Sequence, residues 1–95
     1  MLKSLRLLKY VSSFCDGRVR IRHPALRRED VARAARERIQ AVTGITSVEC
    51  NTVSGSVLIL YDSALLGKED LIRMGTAWAG YLDAVQAGQA AEMPQ

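Results

Sequence analysis

Residues 18–23 read Arg-Val-Arg-Ile-Arg-His and run into Pro24. A two-residue period is that of a strand with one face buried, so Val19, Ile21 and His23 are expected on one side and Arg18, Arg20 and Arg22 on the other. Proline has no N–H to give to a ladder, so the strand ends at about this point. Asp16-Gly17, just before it, is a hairpin-turn pair. That makes "LKYVSSF", residues 8–14, a candidate antiparallel neighbour. Residues 2–8 are ambiguous, because Leu2, Leu5 and Leu8 also fit a helical turn.

After the proline a helix is expected from about Arg28, with Glu29 and Asp30 in the first turn, where acids favour the positive end of the dipole. Val31, Ala35, Ile39 and Val42 recur at helical spacing as a buried stripe, Arg33, Arg36, Glu37 and Gln40 face water, and Gly44 is the expected C-terminal cap. "ITSVEC", residues 45–50, reads as a strand with Ile45 and Val48 buried, and "NTVSGS" as a turn. "VLILY", residues 57–61, is continuously apolar, as a central strand is. A second helix is expected from about Lys68, with Leu71, Met74 or Gly75, Trp78 and Leu82 on one side and Trp78 as a core anchor.

This order implies an α+β chain of the ferredoxin-like split βαβ kind, with two helices on one face of a four-stranded antiparallel sheet. The fourth strand is either the N-terminal extension or a C-terminal one at "YLDAV", and the tail from about residue 87 is expected to fray. Ninety-five residues hold a single domain, residues 1–95. Apolar residues make up 48% and charged residues 24%, and no apolar run approaches the roughly 20 residues that cross a bilayer. "MLKSLRLLKYV" starts like a signal peptide, but Arg6 and Lys9 interrupt it and no small-residue cleavage site follows, so the chain is expected to be cytoplasmic and not membrane-embedded.

Charge divides the chain in two. Up to Gly44 eleven Lys and Arg face four acids, and from Ile45 on two face six. Such asymmetry suits a basic face for an acidic partner or the association of unlike faces, and Arg18, Arg20, Arg22, Arg27 and Arg28 are the candidate binding surface. Cys15 and Cys50 form no Cys-x-x-Cys, and with one His they cannot give a zinc ion four ligands from one chain. They read as reduced thiols, the alternative being a copper or zinc ion shared between two chains. No nucleophile with a base and no phosphate loop is present, so no catalytic residue is assigned and no enzyme is expected.

"GRVRIRHPAL", a helix, and then "VTGITSVECNTVSGSVLILYD" resemble a heavy-metal-associated-like domain of a divergent branch, over roughly residues 10–75. Members of the wider family are similar to copper chaperones and to the N-terminal domains of metal-transporting ATPases. They hold a soft metal with a Cys-x-x-Cys between the first strand and the first helix. Here that loop is "HPALRRED", without cysteine, so the resemblance assigns no metal ligand and no resident cofactor. It implies the fold and a habit of docking to other proteins, including a metal-transport membrane protein.

The leading expectation is therefore a non-catalytic protein-interaction module tied to metal handling or transport, forming a homodimer. One alternative is nucleic-acid-backbone binding by the basic half, although the outward positions offer only Tyr61 for stacking. The other is haem or soft-metal binding through His23, whose imidazole sits where the metal loop begins.

Overall fold

The computed structural model describes residues 9–94. Four strands, β1 (Val11–Cys15), β2 (Arg18–Arg22), β3 (Ile45–Asn51) and β4 (Ser56–Tyr61), form one antiparallel sheet in the order β1-β2-β4-β3. Helix α1 (Glu29–Gln40) connects β2 to β3, and helix α2 (Lys68–Gln86) follows β4. A single 3-10 turn, Pro24–Arg27, lies between β2 and α1. β2, α1 and β3 make a βαβ unit split by β4, the ferredoxin-like arrangement.

The open question of the fourth strand is settled by β1, which pairs with β2 from Val11↔Ile21 to Cys15↔Arg18 around the Asp16-Gly17 turn. "YLDAV" belongs to α2 instead, where Leu82 continues the buried side of the helix begun by Trp78. The 3.6-residue period across Trp78, Leu82 and Val85 outweighs the short strand-like run. The ambiguity over residues 2–8 falls outside the described residues.

Strand phase is adjusted by two irregularities. Register shifts between Val11 and Ser13 in β1 and between Ile45 and Ser47 in β3. Each inserts one extra residue and so flips the phase of the strand. That is how Ile45 and Val48, three residues apart, both reach the core.

Both helices cover the same face. Val19, Val48, Val57, Ile59 and Tyr61 from the sheet meet Val31, Ala35 and Ile39 of α1 and Trp78 and Leu82 of α2 in one cluster. Tyr61, expected outward, is only 6% exposed and lies on this inner side. Among the described residues, an apolar cavity of about 320 Å³ separates α2 from β1 and β2, lined in part by Phe14, Ile21, Leu71 and Trp78.

Helix ends follow local chemistry. Arg28 holds Asp30 at the start of α1, and its guanidinium keeps the Asp30 carboxyl below the usual carboxylate range. In α2 Asp70 reaches back to the Gly67 N–H at 3.0 Å, and that bond, followed by Arg73, lowers its pKa. Helix α1 ends at Gln40, with Ala41 as its cap, so Gly44 is not the cap expected. It turns the chain into β3 with φ +100, against the Leu66 side chain, where a Cβ would stand 2.8 Å from Leu66 Cγ. After α2 residues 89–94 form no helix or strand, and Met93 packs against the core.

Candidate functional site

Residues paired across an antiparallel ladder share a face. Arg18 pairs with Leu60, Arg20 with Leu58 and Arg22 with Ser56. The helix-free side of the sheet therefore carries Arg18, Arg20 and Arg22 in a row beside half-buried Leu58 and Leu60. Ser13 and Cys15 extend it on β1, and Glu49 on β3. None of the three arginines has an ion-pair partner among the described residues. Arginine stems lie over neighbouring apolar surface while their heads stay in water, so the two leucines are fringed rather than sealed. This face can accept an apolar contact rimmed by anions.

The remaining candidate arginines divide. Arg28 is engaged with Asp30 at 2.9 Å. Arg27 closes the 3-10 turn, exposed, and shares a concavity with Arg22 at the end of the sheet.

His23 is 1% exposed, on the opposite side from the arginines. Its Nδ1 accepts from the Ala25 N–H at 3.0 Å and caps the 3-10 turn. A nitrogen that accepts has no proton, so the ring proton is on Nε2, which donates to Asp83 Oδ1 at 2.9 Å. Tyr10 donates to the same oxygen at 2.5 Å, and its ring lies 4.4 Å from the imidazole. Both ring nitrogens are thus used in joining β2 to the 3-10 turn and α2. A metal or haem iron at this residue would have to displace one of those bonds.

The donor set does not fit a soft heavy metal. The turn Pro24–Arg27 offers no thiolate. Cys15 and Cys50 stand on opposite edges of the sheet, three strand spacings or at least about 14 Å apart. They also face opposite sides, since Cys15 pairs with outward Arg18 and Cys50 with inward Val57. No group of three or more His, Cys, Asp and Glu gathers among the described residues. Cys50 contacts the Ala32 carbonyl at 3.5 Å, and burial raises its thiol pKa. Cys15 is exposed. Under limiting iodoacetamide at neutral pH, mass mapping should therefore find Cys15 alkylated at least about tenfold faster than Cys50.

Reading the sequence missed Asp83 and Tyr10 as partners of His23, 60 and 13 residues away. It also missed Lys9 and Ser54, which join Arg22 and Arg27 around the concavity. Only the ladder register and the path of α2 bring these residues together.

Among the described residues no helix is long and apolar enough to cross a membrane. No curated protein and no solved structure matches the chain. A family model, that of heavy metal associated domain 2, matches residues 4–90. With a ferredoxin-like sheet to carry it and nearly the whole length matched, the chain belongs to the heavy metal associated domain 2 family.

Proposed function

We propose that this chain is a non-catalytic docking domain serving metal handling or transport, and that it binds an acidic protein surface through the helix-free face of its sheet. The observation that carries the reading is the row Arg18, Arg20 and Arg22, without ion-pair partners among the described residues, alongside Leu58 and Leu60. Charge steers such an encounter and selects the partner, while the leucines supply the area buried. Family membership supports the metal-related setting. A metal-transport membrane protein with an acidic cytosolic domain is the partner this reading favours. The strand β1 carries no charged residue, and among the described residues no strand covers its outer edge, which suits pairing with a second copy.

The outward positions of the four strands hold no aromatic residue now that Tyr61 is placed inside. Base stacking thus has no platform, and this favours protein over single-stranded nucleic acid.

The test compares capture from a host-cell extract by the native chain and by the triple variant R18A/R20A/R22A, with salt steps and quantitative mass spectrometry. Light scattering on the same samples reads stoichiometry. The expected result is a defined acidic protein held at low salt, released at high salt, and bound about tenfold or more weakly by the variant. Equal retention by the variant overturns the reading. So does tight binding of a labelled RNA oligonucleotide that the three substitutions abolish.

A further inference from the structure

Three segments meet at the end of the sheet where β1 begins. The Arg22 N–H donates to the Tyr10 carbonyl at 2.8 Å, and the His23 N–H donates to the Gly55 carbonyl at 2.8 Å. These bonds draw the start of β1, the 3-10 turn and the β3–β4 turn together. Gly55 permits the approach: its φ is +70, and a Cβ there would stand 2.8 Å from the His23 carbonyl oxygen and 3.1 Å from Arg27 Cγ. Between the segments is a concavity of about 470 Å³ lined by Lys9, Arg22 and Arg27 together with Tyr10, Pro24 and Ser54.

Three cationic residues thus border one hollow, the Lys9 ammonium over the Tyr10 ring at 5.6 Å, and among the described residues no carboxylate lines it. Among the other described cations Arg28, Arg33 and Arg73 are matched, with Asp30, Glu29 and Asp70, whereas Arg18 and Arg20 stand unpaired but spread along a strand rather than around a hollow. Like charges held close together repel, even where, as here, all three side chains are exposed. Such a cluster gains most from an anion of more than one charge. A phosphate group has that charge and presents oxygens to forked guanidinium donors. The hollow is larger than phosphate alone, and Tyr10, Val11 and Pro24 give it an apolar wall.

We propose that Lys9, Arg22 and Arg27 form a binding site for the phosphate group of a small phosphorylated molecule. The site borders the turn at which the resemblance would place a soft metal cation, through Pro24 and Arg27. It is separable from the docking face, because Lys9 and Arg27 lie outside the arginine row and Arg18 and Arg20 lie outside the hollow.

The experiment is a titration of the full chain with inorganic pyrophosphate at fixed ionic strength, read by calorimetry and by amide chemical shifts. Saturable binding is expected, with shifts confined to residues around Lys9, Arg22–Arg27 and Ser54. K9A/R27A should weaken it at least about tenfold, and R18A/R20A by no more than about twofold. Absence of saturable binding overturns the proposal, as does equal loss in R18A/R20A, which would mean diffuse attraction. Inositol trisphosphate and phosphatidylcholine vesicles carrying the corresponding phosphoinositide separate the two sources of such a group. Binding to the soluble probe alone assigns a free compound, and equal binding to both assigns a lipid headgroup. Binding to vesicles with no affinity for either soluble probe overturns the site. Loss of partner capture by R18A/R20A/R22A with pyrophosphate binding by R18A/R20A intact would separate this proposal from the docking reading.

Discussion

His23→Ala should destabilise the domain by about 3 kcal/mol, the sum of a buried ring deleted and a backbone donor left without an acceptor. The residue is 1% exposed and holds three contacts at once. It caps the turn through Ala25, donates to Asp83 on α2, and packs its ring against Tyr10. Alanine leaves the Ala25 N–H buried and unsatisfied, opens a void beside Tyr10, and removes a bond that ties α2 to the 3-10 turn. Against a total stability of about 5–15 kcal/mol for a small domain, that is a large fraction. Conservative variants separate the contributions. His23→Asn places an oxygen where Nδ1 stood and keeps the cap, and His23→Gln places an amide donor near the position of Nε2 and keeps the Asp83 bond. Each should retain about half of the lost stability, and urea midpoints at unchanged slope measure it. If His23→Ala melts like the native chain, the imidazole is not structural and its role as a ligand regains weight.

The same residue marks the limit of what the sequence discloses. Its burial was legible, because strict alternation puts His23 on the side of Val19 and Ile21. Its partners were not, since Asp83 reaches it only through the path of α2. The arginine row was legible for the reason the burial was. Which strand completes the sheet was not, because "LKYVSSF" and "YLDAV" are comparable as isolated strands and only packing decides between them. Tyr61 was misplaced outward for a related reason. A continuous apolar run has no phase of its own, and its inner side is fixed by the pairing of Val19 with Ile59 and of Ile45 with Tyr61. Lys9, Arg22, Arg27 and Ser54 meet through two backbone bonds between distant segments, which leave no sequence pattern, although the Gly55 turn itself was legible.

Trp78→Ala should be at least as damaging, at about 3–5 kcal/mol. Trp78 is 7% exposed, sits in the core cluster, and meets the Tyr81 ring edge-on at 5.5 Å. Its neighbourhood decides the size of the effect. Truncations are least harmful where surroundings can collapse into the space, and here the indole already borders an apolar cavity of about 320 Å³. Removing it joins the new void to the existing one, and the rigid sheet on the far side cannot follow. Trp78→Phe keeps a ring in place and should lose about 1–2 kcal/mol, mostly contact area. Thermal and urea unfolding of the two variants measures the difference directly. A Trp78→Ala loss below about 1 kcal/mol would mean that α2 closes onto the sheet once the indole is gone. In that event the indole would be what holds α2 away from the sheet and keeps the cavity open.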